Sequence, residues 1–439
     1  MSKKLNRRQL RVLAFVWIGV VVLVGVCVFL GILAALSRQN RAADASPSAT
    51  PAAAAQQVDQ PTPLPDAGAG QPTPNIEPTL PPNQDPAFGY GIQTQLHVNT
   101  EGTITQIEQL GMNWVKTQIR WADLEPVQGQ RNWEPLDAMF ALTARHGIKV
   151  LASIVAAPDW ARSVTADGLV GPPDDPQVFA SYIGEFAQRY RGAVHAIEVW
   201  NEPNLSQRGW YTAGGLNAAD YMKLLIPASQ AIRAADPNMI IISAAPAPTG
   251  VDDGVIAVAD FRYVQDLINQ GMLDYVDCVG AHANGINLAP DISAEQAAAQ
   301  GVPAGTLFTG PYLNPHPSWS FYSTLNGYYD IIVASGHDTP LCVTEFGWGT
   351  LEGMQGEPLM PDFGFVYDNT LQEQADNVVR AFQLMHEWGF VKLAILFNLD
   401  YSPKAGGDPK IDATMFSIVF PDGSPRPAFE AVRDMPKPP

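Results

Sequence analysis

The sequence predicts an α/β fold, because short apolar segments of strand length alternate with longer segments of helical periodicity. From residue 87 onward there are eight segments of each kind in strict alternation. The apolar runs are nearly continuous, as is typical of parallel strands covered on both faces. Eight strand–helix pairs favour closure into a single (β/α)8 (TIM) barrel. An open, doubly wound sheet is the alternative, but no glycine-rich phosphate loop follows the first strand.

The predicted strands share short apolar runs and are Gly89–Gln93, Trp114–Trp121, Lys149–Val155, Ala196–Trp200, Met239–Ala244, Val276–His282, Leu341–Phe346 and Val391–Asn398. The predicted helices lie between them at Ile104–Leu110, Pro135–His146, Gln177–Tyr190, Ala219–Ala235, Phe261–Gln270, Phe321–Ser335, Leu371–Trp388 and Pro427–Asp434. Several helices are followed by a glycine, a typical stop signal: Gly147, Gly271, Gly336 and Gly389.

Length and charge fit one large domain and exclude two classes of protein. Residues 87–439 hold 19 basic and 39 acidic residues, a net charge of −20. This charge argues against a nucleic-acid partner, because phosphate binding needs clustered Lys and Arg. Three cysteines in the whole chain are too few for a disulfide-stapled fold. Cys278 and Cys342, on predicted strands six and seven, are interpreted as free buried thiols.

A basic segment and a long apolar run open the chain. Residues 1–11 carry five basic residues, and residues 12–36 form a run of 25 without a charge. A spanning helix needs about 20 such residues, whereas the apolar core of a signal peptide has about 7–15. Two basic residues follow the run, so the positive-inside rule predicts a transmembrane signal anchor with a cytoplasmic amino terminus. A signal peptide cleaved near Ala43 is the alternative and would give a secreted protein.

A linker is predicted at residues 37–86, before the barrel domain at 87–439. Residues 42–86 contain eleven prolines and no basic residue. With few sizeable aliphatic residues, the segment cannot bury enough apolar surface to offset its ordering entropy and is predicted to be disordered. At about 3.1 Å per residue it would reach up to about 140 Å when fully extended.

The fourth predicted strand ends in a glutamate. It reads AIEVWNEPN from residue 196 to residue 204. Strand side chains alternate between faces, so Glu198, Trp200 and Glu202 are predicted to share the inward face. Pro203 marks the end of the strand, because proline cannot donate to the ladder. Glu202 is therefore expected at the mouth of the barrel, where functional groups of this fold lie.

The seventh predicted strand supplies a second glutamate. It reads LCVTEFGW from residue 341 to residue 348, and alternation groups Leu341, Val343 and Glu345 on the inward face. Two carboxylates in a half-buried cleft suit cleavage of a glycosidic bond. One must stay protonated to donate to the leaving oxygen, and the other must stay ionised to attack the anomeric carbon.

The motifs WNEPN (200–204) and TEFGW (344–348) resemble clan A of the retaining glycoside hydrolases, in particular its cellulase-like and family 39-like members. The resemblance covers roughly residues 88–434. It implies a polysaccharide or oligosaccharide substrate and no cofactor. It also implies that Glu202 is the acid/base, that Glu345 is the nucleophile, and that Asn201 hydrogen-bonds the sugar 2-hydroxyl.

The resemblance adds supporting residues. Arg120 ends the second strand, where the clan has an arginine that contacts the nucleophile and helps to keep it ionised. His282 ends the sixth strand, where the clan often has a histidine or tyrosine near the nucleophile; a core histidine is the alternative. Glu198 lies deep in the predicted barrel and is interpreted as a structural ion-pair residue. Its partner is left open among Lys116, Gln118 and Arg120.

Two departures from the clan pattern concern the sugar contacts. The clan often has a tyrosine shortly after the sixth-strand histidine, and here Ala283 and Asn284 stand there. The eighth strand often ends in a tryptophan that serves as a sugar platform. Here Phe397 or Tyr401 would have to substitute.

Aromatic residues and one long loop complete the predicted binding site. Aromatic faces stack on pyranose rings, and the tryptophans at strand ends or in the following loops are assigned to substrate binding: Trp121, Trp160, Trp319 and Trp348. Loops longer than about 15 residues are usually functional or disordered, and the longer segment Ala283–Ser320 is interpreted as a lid. It contributes Asn284 and His316. The seven histidines show no paired ligand spacing, and no metal site is predicted.

The sequence therefore predicts a membrane-anchored, extracytoplasmic retaining β-glycoside hydrolase that contacts the lipid bilayer through residues 12–36 and has no obligate protein partner. Two alternatives stay open. The first is a catalytically silent barrel that binds polysaccharide, although the presence of both glutamates argues against it. The second is a transglycosylase, which would share the covalent intermediate and pass the sugar to another glycan.

Overall fold

A computed structural model describes residues 83–438, apart from residues 86, 167, 207–208 and 359–360 and the side chains of residues 361–363. The predicted anchor (12–36) and, except for residues 83–85, the predicted linker (37–86) lie outside the described residues and stay predictions. Within the described part of the chain, no helix combines the length and the apolar character that a membrane span requires.

Eight parallel strands form one closed sheet. They are β1 (Gly89–Gln93), β2 (Trp114–Arg120), β3 (Lys149–Val155), β4 (Ala196–Val199), β5 (Ile240–Ser243), β6 (Val279–His282), β7 (Leu341–Phe346) and β8 (Val391–Leu396). Their hydrogen-bonded order is β5-β4-β3-β2-β1-β8-β7-β6. A bridge between Ile242 and Cys278 joins the two ends of this order. The predicted barrel is confirmed, and each predicted strand overlaps an observed one.

In the described part of the chain, the eight α-helices of eight or more residues pack around the strands. They are α1 (Thr100–Gln109), α2 (Glu134–Arg145), α3 (Pro176–Arg189), α4 (Ala218–Ala235), α5 (Asp260–Asn269), α6 (Phe321–Ala334), α7 (Leu371–Trp388) and α8 (Pro427–Asp434). Local signals set their ends. Thr370 and Glu373 form a capping box at the start of α7, and Gly389 ends that helix with a φ of 72°.

The interior of the barrel changes from apolar to charged toward the mouth. Its lower layer consists of buried apolar side chains from six strands and the β6 entry: Trp114, Leu151, Ala196, Ile240, Ile242, Cys278, Cys342, Leu393 and Ile395. Two residues further along four of these strands, the buried side chains are polar: Lys116, Ser153, Glu198 and Thr344. The alternation of strand side chains therefore stacks a charged layer directly on an apolar one.

The two cysteines of the lower layer form a disulfide, so the prediction of free thiols was wrong. Cys278 and Cys342 have an S–S distance of 2.00 Å and a Cα–Cα distance of 5.7 Å. Both side chains point into the interior from neighbouring strands, and the Cα separation lies in the range that a disulfide needs. The prediction failed because it placed Cys342 on the outward face of its strand.

The amino-terminal part of the described chain crosses the bottom of the barrel. Asp85 Oδ2 lies 3.2 Å from the Nζ of Lys149, at the start of β3. The Asp85 carbonyl accepts a hydrogen bond from Lys392, near the start of β8. Asn83 donates to the carbonyl of Pro237 at 3.0 Å, before β5. The chain thus enters the barrel at the face opposite the carboxyl ends of the strands.

Removal of the disulfide should destabilise the barrel. For a sequence separation of 64 residues, loop entropy predicts that a Cys278→Ser/Cys342→Ser double variant loses about 4 kcal/mol of unfolding free energy. Guanidinium unfolding measures this loss, with Cys27→Ser as the control outside the pair. Titration of the denatured, unreduced protein should find one free thiol, and a result of three would contradict the disulfide.

Candidate active site

The first of the two predicted carboxylates lies just beyond β4, where the backbone turns sharply. Trp200 (φ 81°) and Glu202 (φ 47°) both adopt the left-handed region, which residues other than glycine rarely occupy. The Glu202 amide donates to the carbonyl of Ala245 at 3.0 Å, beyond the end of β5. The Glu202 side chain is 21% exposed and points toward His282.

Asn204 holds this turn in place. Its side chain is fully buried and donates to the carbonyls of Ala247 at 2.9 Å and Val258 at 3.0 Å. Its Oδ1 accepts from the Ala247 amide at 2.8 Å. These bonds tie the loop after β4 to the loop after β5. They help to offset the roughly 1–3 kcal/mol of strain that each left-handed residue brings.

Trp200 does not share the inward face with Glu198 and Glu202, so that part of the prediction was wrong. The positive φ turns its fully buried ring toward α3, where it lies 5.7 Å from the Phe179 ring. The ring also packs against Trp210 at 5.8 Å. Alternation stopped at Val199, because the extended backbone ended there.

The second carboxylate reaches the mouth through a β-bulge in β7. Ala281 pairs with Val343, but the next residue of β6, His282, pairs with Glu345. Thr344 is therefore the extra residue of the bulge. As a result, two consecutive side chains of β7, Thr344 and Glu345, both contact residues of the barrel interior.

The inward and outward faces predicted for β7 were wrong. Leu341 and Val343, predicted to point inward, pack in the core between strands and helices. Cys342, one residue between them, faces the interior. Strict alternation would have turned Glu345 outward with Leu341 and Val343. The extra residue restores its inward direction, so the predicted position at the mouth was reached by a different geometry.

Lys116 is the cation of the site. Its ammonium lies 3.1 Å from Glu345 Oε1 and 3.1 Å from Glu198 Oε2, and the lysine side chain is fully buried. Burial alone would lower the pKa of Lys116, but the charges of Glu198 and Glu345 outweigh burial and raise it. The lysine therefore stays protonated. The interpretation of Glu198 as an ion-pair residue agrees with this geometry, and its partner is Lys116.

His282 lies between the two carboxylates. Its Nδ1 is 3.0 Å from Glu202 Oε1, and its Nε2 is 3.8 Å from Glu345 Oε1. Burial alone would lower the pKa of His282, but the charge of Glu345 and the hydrogen bond to Glu202 outweigh it and raise the pKa. The ring is fully buried and contacts both acidic residues, so it can influence the proton of either one.

The three side chains converge closely. One ligand-type atom from each of Glu202, His282 and Glu345 lies within 4.8 Å of the other two. Such a set could hold a metal ion, a possibility that sequence spacing did not reveal because the residues come from three strand ends. The ammonium of Lys116 already supplies a positive charge at Glu345 Oε1 and would repel a divalent cation there.

Two asparagines near the mouth present buried acceptors. Among the described residues, neither Asn201 Oδ1 nor Asn284 Oδ1 has a hydrogen-bond partner. Buried polar atoms are normally paired, so an orphaned one calls for a ligand or water. Both residues were predicted to bind substrate, and their free acceptors are compatible with hydroxyl groups of a sugar.

The predicted aromatic platforms divide into two groups. Trp121 and Trp348 are buried: Trp121 stacks on Tyr182 at 4.8 Å, and Trp348 donates its Nε1 proton to the carbonyl of Leu288. Their rings belong to the core, and they offer no open face. The half-buried aromatic residues are Trp160, Trp319 and Phe397. These three keep exposed surface for stacking.

Arg120 does not make the contact that the resemblance implied. Its side chain is 50% exposed, and its Nε lies 3.5 Å from Oδ2 of Asp123, in the short helix Trp121–Leu124 that follows β2. The cation beside Glu345 is Lys116, four residues earlier on β2. The alternation of β2 places both side chains on the inward face, but Lys116 lies two pleats deeper, at the level of the Glu345 carboxylate.

Sequence reasoning gave Gln93 and Tyr401 no role beside Glu345. Gln93 Nε2 donates to the Tyr401 hydroxyl at 3.1 Å, and the Gln93 side chain is buried. Burial raises the pKa of Tyr401, and the charge of Glu345 raises it further, so the phenol stays protonated close to Glu345. The only feature of the sequence that could have indicated this contact is the position of Tyr401 shortly after the end of β8.

The long loop Ala283–Ser320 contains two short helices, Ala294–Gln300 and Gly310–Leu313. Its end is anchored by Asp260, the fully buried first residue of α5. Asp260 accepts hydrogen bonds from Ser318 Oγ and from the Tyr328 hydroxyl, both at 2.6 Å. His316 and Trp319 flank this anchor, with ring centroids 6.5 Å apart. The role of the loop as a lid stays a prediction.

Comparison with protein families gives one match. The model of cellulase (glycosyl hydrolase family 5) matches residues 81–270. This stretch contains β1 to β5 and Glu202 and ends before Glu345. A comparison with curated proteins found no match.

Solved structures share the fold at low sequence identity. A family 39 glycoside hydrolase from Bacteroides cellulosilyticus WH2 matches with a TM-score of 0.58 and 16% identity over 81% of this chain. The match spans 64% of that structure's chain, less than two thirds. A GH5_18 protein from Streptomyces cattleya, in complex with GlcNAc, matches with a TM-score of 0.53 and 14% identity, covering 80% of this chain and 82% of its own. GH10 from Paenibacillus barcinonensis matches with a TM-score of 0.51 and 14% identity, and the match covers 79% of this chain and 94% of that structure's chain.

These findings show what the chain is similar to. The solved structures establish the shared (β/α)8 barrel, and the family match falls on its first five strands. The chain is similar to glycoside hydrolases in this part of its sequence and in its fold. The fold and the family match agree with the resemblance to clan A glycoside hydrolases seen in the sequence, and that resemblance is confirmed.

Replacement of Lys116 should destabilise the protein more than replacement of Arg120. Lys116→Met leaves Glu198 and Glu345 as buried carboxylates without a cation, which is expected to cost about 3–5 kcal/mol of unfolding free energy. Arg120→Met removes only an exposed pair and should cost less than about 1 kcal/mol. Urea unfolding compares the two variants. Equal losses would contradict the assignment of Lys116 as the cation of the site.

Proposed function

We propose that this chain is a retaining β-glycoside hydrolase that cleaves a polysaccharide or oligosaccharide by double displacement. The observation that carries the proposal is the separation of the two carboxylates, since one oxygen each of Glu202 and Glu345 lie within 4.8 Å. Retaining pairs are about 5–5.5 Å apart, whereas an inverting pair leaves about 6.5–9.5 Å for a water molecule. The short distance between these oxygens favours the retaining arrangement over the inverting one.

In the first step, Glu345 attacks the anomeric carbon. The bond between this carbon and the leaving oxygen breaks, and Glu202 donates its proton to that oxygen. Lys116 places its ammonium 3.1 Å from Glu345 Oε1 and gives this carboxylate a buried counter-ion. Asn201, with its free Oδ1, is positioned to accept a hydrogen bond from a hydroxyl of the bound sugar.

In the second step, Glu202 acts as a base. It removes a proton from water, which attacks the anomeric carbon and releases Glu345. His282 contacts Glu202 at 3.0 Å and gives the carboxylate a hydrogen-bonding partner in the ionised state. Two inversions at one carbon return the original configuration. The half-buried rings of Trp160, Trp319 and Phe397 support binding of sugar faces at the mouth.

We further propose that the enzyme acts outside the cytoplasm, held by residues 12–36. The disulfide between Cys278 and Cys342 supports this location, because disulfides persist in oxidising compartments. The chain enters the barrel opposite the mouth, so an anchor at the amino terminus would leave the mouth free for a long glycan. The full sequence is expressed and the cells are fractionated. Recovery of a soluble protein whose amino terminus lies beyond residue 36 would refute the anchor.

Loss of the acid/base should depend on the leaving group. Glu202→Ala is expected to slow hydrolysis of poor leaving groups by about 10²–10⁴-fold. Activated aryl glycosides need little protonation, so their hydrolysis should be slowed much less. Added azide should restore turnover of these substrates by the variant and give a β-glycosyl azide as the product. Glu430→Ala, on the exposed side of α8, is the matched control. Equal losses on both substrate types would contradict the role of Glu202.

The stereochemistry of the product tests the double displacement itself. Proton NMR of the first product released from a 4-nitrophenyl β-glycoside should show the β anomer. Glu345→Asp keeps the charge but shortens the side chain by one methylene, so we expect severe impairment of the same reaction. Initial release of the α anomer would refute the nucleophilic role of Glu345.

A further inference from the structure

Lys116 has two ion-pair partners, and only one of them takes part in the proposed reaction. Its ammonium lies 3.1 Å from an oxygen of Glu345 and 3.1 Å from an oxygen of Glu198. Glu198 is fully buried and lies behind the reaction centre, in the interior of the barrel. The symmetry of the two contacts means that Glu345 holds only part of the lysine's charge.

The proposed reaction changes the charge of one partner and leaves the other unchanged. When Glu345 bonds to the anomeric carbon, its carboxylate becomes a neutral ester. The proton that leaves Glu202 transfers the negative charge to that residue. Lys116 then loses one of its two counter-ions while remaining in a position with no exposure to solvent.

A buried cation without a partner is costly, because desolvation is not repaid by an ion pair. In the described part of the chain, the ion-pair partners of Lys116 are Glu198 and Glu345. The hydroxyl of Thr344, the bulge residue of β7, donates to Glu198 Oε1 at 2.7 Å and so holds the Glu198 carboxylate in place. Glu198 is therefore a permanent counter-ion whose position does not depend on the state of Glu345.

We infer that Glu198 is a positioning residue that balances the two half-reactions by sharing Lys116 with the nucleophile. This inference rests on the proposed function, with Glu345 as nucleophile. In the free enzyme, sharing prevents Lys116 from stabilising Glu345 so strongly that the carboxylate loses nucleophilicity. In the covalent intermediate, Glu198 keeps Lys116 paired and so stabilises the ester state.

Glu198→Gln removes the charge of Glu198 and nearly preserves its shape. Lys116 then pairs fully with Glu345 in the free enzyme and is left unpaired in the intermediate. Formation of the intermediate should become slower and its breakdown faster, each by about tenfold, the change expected when one charge-assisted hydrogen bond is redistributed. A variant that merely distorted the site would slow both steps.

The probes are 2,4-dinitrophenyl 2-deoxy-2-fluoro-β-glucoside, -xyloside and -mannoside, which form slowly turning-over intermediates and need no acid catalysis. The rate of inactivation measures formation of the intermediate, and the return of activity after removal of the probe measures its breakdown. Mass spectrometry of peptides identifies the labelled residue. Opposite shifts of the two rates in Glu198→Gln support the inference. Two rates that are unchanged, or slowed together, overturn it while leaving the proposed function intact.

A second variant guards against misfolding of the first. Thr344→Val removes the hydrogen bond to Glu198, so Glu198 should draw more strongly on Lys116 and leave Glu345 less paired. Breakdown of the covalent intermediate should then be slower, and its formation should not be slower. This pattern is the reverse of the one expected for Glu198→Gln. Equal slowing of both steps overturns the inference. Asp137→Asn, which loses the charge of an ion pair with Arg189 in the helix layer, is the control and should change neither rate. A wild-type enzyme that none of the probes labels at Glu345 refutes the proposed function, and the inference falls with it.

Discussion

The ammonium of Lys116 is the interaction on which the site depends. It lies in the interior of a closed barrel, where a charge is tolerated only with partners at contact distance. Glu198 and Glu345 supply those partners from β4 and β7, and Lys116 itself comes from β2. The ion pairs therefore join three strands that are distant in sequence. The chemistry at the mouth rests on this charged layer, which lies directly above the apolar layer of the barrel.

The backbone is distorted where the two glutamates of the candidate site emerge. Two left-handed residues beyond β4 aim Glu202, and a bulge in β7 turns Glu345 inward. Neither distortion follows from the preference of the local sequence, since both oppose it. The buried bonds of Asn204 and the ion pair of Lys116 hold the two turns. A regular β7 would turn Glu345 outward, whereas the distorted strand ends bring an oxygen of each glutamate within 4.8 Å of the other.

Much of the architecture could be predicted from sequence, because it follows from local periodicity. Alternating strand and helix patterns gave the barrel, and three strands, among them β3 and β7, were predicted with their observed bounds. The motif around Glu202 and the glutamate of β7 identified the two proposed catalytic positions, since both stand where a strand ends. The anchor and linker were read from composition alone, and they lie outside the described residues.

What the sequence determined by itself is the order of the elements, the resemblance to glycoside hydrolases and the position of two glutamates at strand ends, because these depend on patterns within short segments. Tertiary structure decided the choice of Lys116 over Arg120, the disulfide between Cys278 and Cys342, and the inward direction of Glu345. All three depend on which side chains of different strands reach the same depth of the barrel. One extra residue in β7 reverses the faces predicted by alternation, and no local pattern marks that residue.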